Sequence, residues 1–372
     1  MKSLTSLSAW PATALSCLTL LLATALPAST ASAQCTFVAS TNSFTPNQFR
    51  CTDGAGFLWD IQGDRGDINN GTIDAYDGFG NVCVTTNVGL TTQCNTVTET
   101  FSVPASSAMT LTTVPGGSEI TLTSDDLGPT FPRAIRATRR LFVPHGGTTG
   151  YLRYLDIFEN TGTTALTVKV RAGTTDTSGN LGCDSSCTVQ NTDTGGMMLN
   201  PGQLWFVVDD TSLSGGDPAV AMVIDNFGKG STTLVEQQPS TVTFSSLDWF
   251  MWEYDSVTIP AGGRVAYMHF QVQRTTPGAA EAVARSLQTI TPADLAGIDS
   301  ALRRDIQNFQ LPPPPNCGDG ILQEDEGEEC DDGNTLSEDA CTRFCLPNVC
   351  GDGFTNPAAV EFDDGNGFDL DE

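Results

Sequence analysis

Apolar and polar positions alternate along much of the middle of this chain with the period of a strand. In Leu166-Thr-Val168-Lys-Val170-Arg every apolar residue falls on one side. Ala266, Met268, Phe270 and Val272 interleave with Tyr267, His269, Gln271 and Gln273 in the same way, which predicts an apolar face turned in and a polar face turned out. Tyr151 to Phe158 and Leu204 to Val208 are more continuously apolar, as central strands can be. Asn160-Thr-Gly162 lies between two such runs, so Tyr151 to Arg171 predicts a hairpin. Thr, Val and Gly are abundant from 34 to 275, and turn residues recur throughout. The fold class predicted is mainly β: a large antiparallel β-sandwich, taken either as one unit or as two divided at 144–150.

From Ala279 the texture changes. Ala279 to Ile290 is rich in helix formers, and Thr291-Pro292 reads as the N-cap and first residue of a second helix. Leu295, Ile298, Leu302, Ile306 and Phe309 keep helical spacing, so that helix is predicted to run to Phe309. The segment 276–310 is expected to pack on the sandwich. Pro312 to Pro315 then favour a stiff extended spacer over 311–316, holding the C-terminal tail away from the body. At the other end, Lys2, the apolar run Ala14 to Leu26 and Ala31-Ser32-Ala33 describe a secretory signal peptide over 1–33. Cys17 lies inside it, but Ala14-Leu15-Ser16 is a poor lipobox and the apolar run continues past the cysteine. No later stretch has the roughly 20 apolar residues of a membrane span.

The remaining stretch, 317–372, repeats itself. Cys317-Gly-Asp-Gly320, Glu329-Cys330-Asp-Asp-Gly-Asn334 and Cys341-Thr-Arg-Phe-Cys345 are followed by Cys350-Gly-Asp-Gly353 and Glu361-Phe362-Asp-Asp-Gly-Asn366, offset by 33 and 32 residues. The first copy has few apolar residues, so disulfides or bound ions must hold it. These motifs resemble the Myxococcus cysteine-rich repeat of secreted and surface proteins, whose pattern is Cys-Gly-Asp-Gly, Glu-Cys-Asp-Asp-Gly-Asn and a closing Asp-Gly-Cys-x-x-x-Cys. The first copy departs only in having Ala340 where Gly is usual. The second has Phe362 in place of a cysteine and lacks the closing pair, so it is incomplete. The resemblance covers the tail alone and implies an exported, modular protein without naming an activity.

Charge narrows the partners. The whole chain carries −27; cleavage of 1–33 would remove Lys2 and leave −28. From Asn316 to the end there are 17 acids and one base, Arg343, a net −16. Nucleic acid is excluded as a partner, because phosphate binding needs a basic face. Arg133, Arg136, Arg139 and Arg140 form the single basic island, read as a solvated strand edge or loop. Eleven cysteines remain after the signal, pointing to disulfides in an exported protein. Cys35 with Cys51, Cys83 with Cys94 and Cys183 with Cys187 are near neighbours, and local pairing is the simplest proposal for them. Cys183 and Cys187 lack the further ligands a zinc site needs. Cys317, Cys330, Cys341 and Cys345 are disulfide candidates within the tail, and Cys350, whose repeat partner is replaced by Phe362, is the candidate for an unpaired thiol. Bridges are expected within each module and none across the proline spacer.

Catalytic motifs are sparse. After the signal the histidines are His145 and His269, and no Gly-x-Ser-x-Gly, His-Glu-x-x-His or phosphate loop is present. Asp193-Thr194-Gly195 copies the short aspartic-protease motif once, where a dyad needs two, and reads as a turn. Trp249, Phe250, Met251, Trp252 and Tyr254 make either a carbohydrate platform or sandwich core, the core being the simpler reading. Arg65-Gly66-Asp67 carries no weight as a tripeptide. The Gly63–Gly80 loop, with Asp64, Asp67, Asn69, Asp74 and Asp77, has oxygen ligands suited to Ca²⁺, and Asx turns explain it equally well. In the tail, Asp319, Asp331, Asp332 and Asn334 are the candidate ligands of a loosely bound calcium, set against a role as turn caps. The expectation is a secreted, modular, non-enzymatic protein with a binding or structural role at the cell surface or in extracellular material. Its partner would be an extracellular protein or polysaccharide. The alternative is an extracellular hydrolase or its accessory carbohydrate-binding domain, since two loop carboxylates suffice for glycoside hydrolysis.

Overall fold

The computed structural model describes residues 35–39, 47–72, 75–85, 109–124, 134–146, 150–173, 180–181, 188–197, 199, 202–209, 216–226, 232–237, 250–314, 316–323, 328–349 and 354–357. The signal peptide, Cys94, Cys183, Cys187, Cys350, Trp249, Asp74 and the second repeat's Phe362 lie outside them.

The strands in chain order are β1 (Cys35–Val38), β2 (Gln48–Thr52), β3 (Leu58–Gln62), β4 (Ile68–Gly71), β5 (Tyr76–Asp77), β6 (Asn81–Thr85), β7 (Thr110–Val114), β8 (Gly117–Ser124), β9 (Ile135–Pro144), β10 (Leu152–Asn160), β11 (Leu166–Gly173), β12 (Asn180–Leu181), β13 (Thr188–Thr192), β14 (Trp205–Asp209), β15 (Ala219–Val223), β16 (Thr232–Gln237), β17 (Phe250–Tyr254), β18 (Val257–Ile259) and β19 (Arg264–Arg274). An eight-stranded sheet runs β13-β14-β15-β19-β10-β9-β8-β7, a second is ordered β16-β17-β11-β18 with β6 also on β11, and a third is β1-β2-β3-β4. Every pairing between these strands is antiparallel, which is the predicted class. β9, which ends at Pro144, and β10, which starts at Leu152, are paired neighbours in the large sheet, so the division considered at 144–150 would fall between two strands of one sheet.

Two apolar clusters lie on opposite faces of the large sheet. One fills the space between sheets, with Leu141, Tyr154, Phe158, Val168, Val170 and Trp252 among its members. The other lies under a helical layer and includes Leu155, Trp205, Met268, Phe270, Leu302 and Phe309. This doubles the burial of β19. Ala266, Met268, Phe270 and Val272 face the helices, while Tyr267, His269, Gln271 and Gln273 are buried between the sheets. The face expected to meet water is therefore interior, because a third layer covers the apolar side.

Two further expectations are corrected. β10 and β11 are not a hairpin, since β10 pairs with β9 and β19 while β11 pairs with β6, β17 and β18. The link crosses between sheets and is pinned by buried Asn160, whose Nδ2 donates to Thr164 O at 2.8 Å and Ile259 O at 2.9 Å. The helical stretch is broken too. α1 (Pro277–Ser286) is capped by Thr276, a short 3₁₀ turn spans Pro292–Leu295, and α2 (Ser300–Asp305) is capped by Asp299. Gly297, at φ 79°, turns the chain where one helix was expected to continue. The apolar spacing still served, for Leu295, Ile298, Leu302, Ile306 and Phe309 are all buried in the one cluster.

The tail is not held off by its prolines. Leu311 and Pro314 are buried, and Phe344 and Leu346 join the same apolar cluster as Leu311 and the helical residues. A short apolar segment gains most by docking on a surface that already exposes apolar atoms.

Candidate functional site

A groove of about 940 Å³ opens between one end of the large sheet and the helical layer. Its walls come from the β7–β8 turn, the segment after β9, the 3₁₀ turn and the start of α2, with Phe142, His145, Tyr151, Leu287, Asp294 and Ile298 among the lining residues. Two arginines of the sheet, buried Arg153 and half-buried Arg140, hold its walls. Arg153 donates from Nη1 to the carbonyls of Asp294 and Ala296 at 2.7 and 3.0 Å, and from Nη2 to Glu119 at 3.0 Å. Arg140 reaches the same carboxylate at 2.6 Å and Gly297 O at 2.5 Å. Burial lowers the Arg153 guanidinium to about 10, with the Glu119 charge opposing that shift, so it stays a cation at neutral pH. The basic island is divided: Arg139 forms a buried pair with Asp156 at 2.6 Å and Arg140 is tied to Glu119, while Arg136 is exposed, as expected, and pairs at the surface with Glu159 at 3.1 Å; Arg133 lies outside the described residues.

Of the two carboxylates of the groove, Asp294 is bonded through both oxygens and the exposed Asp299 through one. Asp294 Oδ2 accepts from Thr291 N at 2.8 Å and Thr291 Oγ1 at 2.6 Å, and Oδ1 accepts from Tyr151 Oη at 2.7 Å. Burial, reinforced by the Asp294 charge, pushes the Tyr151 phenol up, so it acts here as a donor. Asp299 Oδ1 accepts from Leu302 N at 2.8 Å as the cap of α2. His145 Nε2 meets Ser118 Oγ at 2.8 Å, and burial lowers its pKa, favouring the neutral ring. Glycoside hydrolysis needs a free acid and a second carboxylate across the bond. Here both acids spend oxygens on helix ends, and what the groove offers is a mainly apolar concave surface with a few fixed polar groups.

A second cluster lies between the sheets. His269 stacks on Tyr154 at 4.4 Å and 9°, and meets Trp252 edge-on at 5.2 Å. Arg139 lies 4.7 Å from the Tyr154 ring centre and donates to Gly80 O and Arg65 O, each at 2.8 Å. Gln273 is satisfied by Thr72 N and Leu58 O. By contrast Tyr76 Oη, Tyr154 Oη, both ring nitrogens of His269 and both amide atoms of Gln271 find no partner among the described residues. All four residues are at most 1% exposed. An unmet buried polar group costs on the order of 1–3 kcal/mol. Gly80, at φ 102°, lets the β5–β6 connection lie against them: a Cβ there would sit 2.6 Å from Tyr154 Oη and 3.0 Å from Gln271 Nε2. Asp67 is buried nearby with Oδ1 unpartnered, and burial plus the Asp64 charge raise its carboxyl to about 6. Burial, then the Arg139 charge, drives His269 well below its ordinary value, so it is neutral. Periodicity alone gave no sign of Tyr76, Tyr154 or Gln271; the one available signal was the row of polar residues on β19, read as solvent-facing.

In the tail, Asp319, Asp331, Asp332 and Asn334 are brought into adjacent turns. Asp331 accepts from Gly318 N and Gly320 N at 2.9 Å and from Gly333 N at 2.7 Å. Desolvation raises its carboxyl, but those amides together hold it below the usual range. Asp319 Oδ1 accepts from Ile321 N at 2.8 Å, Asp332 Oδ1 from Asn334 N at 3.3 Å, and Asn334 Oδ1 from Leu336 N at 2.7 Å. The four therefore behave as turn caps. Cys317 bonds to Cys345 and Cys330 to Cys341, while Cys35 bonds to Cys51 across the β1–β2 pair. Cys83 is disulfide-bonded as well. The described acidic, cysteine and histidine side chains converge in one metal-sized group, Cys317, Glu328 and Cys345, whose sulfurs are bonded to each other and offer no thiolate.

Other sequence candidates take structural places. Met251, Trp252 and Tyr254 are buried, with Trp252 Nε1 donating to Tyr254 Oη at 2.9 Å, so they are core and no sugar platform. Gly195, at φ 79°, completes the turn of Asp193-Thr194-Gly195. Asp67 of the Arg65-Gly66-Asp67 tripeptide is 2% exposed and is not displayed. Among the described residues no helix is long and apolar enough to cross a membrane.

No family model matches the chain. Pappalysin-1 of Mus musculus and of Homo sapiens are each 45% identical over 51 residues, 14% of this chain and 3% of theirs. The acetylcholinesterase collagenic tail peptide of Torpedo marmorata is 43% identical over 58 residues, 16% of this chain and 12% of its own. The chain thus spans a small fraction of these relatives. Among solved structures, a TPR-domain containing protein from Parabacteroides distasonis aligns with TM-score 0.38 and 8% identity over 62% of this chain and 48% of its own. A galactose mutarotase-like protein from Clostridium acetobutylicum gives 0.37 and 10%, over 64% and 98%. The 4-alpha-glucanotransferase of Thermococcus litoralis gives 0.37 and 10%, over 65% and 39%. Likeness at this level carries no argument about activity.

Proposed function

We propose that this chain acts outside the cell as a non-enzymatic modular protein with a binding or structural role at the cell surface or in extracellular material. The observation that carries the reading is the groove: about 940 Å³ of concave, mainly apolar surface, of whose two acids Asp294 holds the start of the 3₁₀ turn and Asp299 caps α2. The disulfides support an oxidising compartment. The partner class is an extracellular protein or polysaccharide, and the groove is its candidate seat. Filling the groove tests this. Ala293→Trp places a bulky side chain on an exposed wall residue. Binding to envelope proteins or surface polysaccharides is expected to fall at least tenfold while the circular dichroism spectrum is unchanged. Turnover of a polysaccharide panel, abolished by Asp294→Asn in a folded protein, would replace this reading with the hydrolase.

Calcium is a proposal for the tail as well. Its −16 net charge supports loose attraction of a hard cation. The three amide bonds already made by Asp331 support turns that close without one.

A further inference from the structure

We infer that Tyr76, Tyr154, His269 and Gln271 bound an internal chamber that holds a small uncharged hydroxyl ligand, water or a small polyol. The chamber lies on the opposite face of the large sheet from the groove and does not depend on that reading.

The unmet atoms define the ligand. Gln271 has two donor hydrogens on Nε2 and an acceptor at Oε1; neutral His269 gives from one nitrogen and accepts at the other; the two phenols do both. Their complement both donates and accepts, as a hydroxyl group does. Charge points the same way. Arg139 is spent on Asp156, Gly80 O and Arg65 O, and His269 is neutral. Asp156 and Arg139 neutralise each other, so the unmet atoms face no uncompensated cation that would call for an anion. Contiguity comes from the 4.4 Å Tyr154–His269 stack, from Gly80, whose missing Cβ would touch both Tyr154 Oη and Gln271 Nε2, and from Tyr76, whose phenol is close enough to that of Tyr154 for the two to interact electrostatically. Ordered water commonly satisfies such buried groups, making about three hydrogen bonds apiece.

The test is a high-resolution crystal structure of the full mature chain, grown without polyols, with a second crystal soaked in glycerol. Density is expected at about 2.7–3.2 Å from these side-chain atoms. Separate peaks in both crystals identify water. A continuous body present only after soaking identifies a polyol site. Absence of density in both, or side chains turned onto protein partners, overturns the inference. A solution measurement stands beside it. In polyol-free buffer, oxygen-17 relaxation dispersion should detect long-lived internal water, with lower amplitude in the conservative Tyr154→Phe and in Gln271→Leu. Equal amplitudes in folded variants and parent would overturn it.

Discussion

His269 shows how one side chain changes meaning with its surroundings. In the sequence it belongs to a polar row; in the fold it is stacked, neutral and closed off from solvent. Asp67 makes the energetic side of this measurable. Its folded pKa of about 6 exceeds the ordinary carboxylate value, so the native state holds the proton more tightly than the unfolded chain. Stability from this group is present at low pH and falls as pH rises from about 4 towards 6, then stays flat. Asp67→Asn is expected to remove that slope and to stabilise the protein at pH 7.5 by on the order of 2 kcal/mol, read from denaturant unfolding at several pH values. Trp252 allows a second test. As a fully buried core residue beside Phe79 and His269, its change to Ala is expected to cost about 3–5 kcal/mol, seen as a large fall in the unfolding midpoint. A platform role would instead predict lost sugar binding at unchanged stability.

Among the elements, the short ones depend most on backbone geometry. The Cys317-Gly-Asp-Gly320 turn lies so close to its neighbour that a Cβ on Gly318 would sit 2.6 Å from Asn334 O, and Gly318 also has φ 90°. Gly318→Ala should therefore disorder the first repeat, read as lost amide protection confined to 316–349. Asp331 makes the complementary prediction. Its depressed pKa means that its contribution is present above the ordinary carboxylate range and is lost as pH falls through the folded value. Asp331→Asn should loosen the same turns at neutral pH, and turn caps alone predict no saturable heat when millimolar calcium is titrated into the full chain. A saturable heat that vanishes in Asp331→Asn would instead favour the ion. The helical layer shows how local signals fall short: Thr276 and Asp299 supply the cap residues expected of helix starts, yet a single left-handed residue, Gly297, divides the stretch.

For the whole molecule the main consequence is that the first repeat of the tail belongs to the body. Phe344 and Leu346 complete the apolar cluster that Leu311 and the helices begin. Leu346→Ala should cost about 2 kcal/mol or more and expose 311–316 to limited proteolysis, with no loss of the Cys317–Cys345 and Cys330–Cys341 bridges on peptide mapping. A spacer that merely tethers a separate module would be cleaved equally fast in both proteins.

What the residues determined by themselves is local. Alternation in Leu166–Arg171 and Ala266–Gln273 specified strands, helical spacing specified the buried row from Leu295 to Phe309, and adjacent turns in the repeat were written in Gly and Asp. These depend on periodicity and backbone preference, which need only near neighbours. The tertiary structure decided which faces were interior, because burial depends on what arrives from distant parts of the chain. Only the helical layer makes both faces of β19 internal. The meeting of Gly80, Tyr154 and Gln271 closes in polar atoms without partners, and the docking of Phe344 and Leu346 joins the first repeat to the sandwich, neither of which near neighbours in sequence could decide.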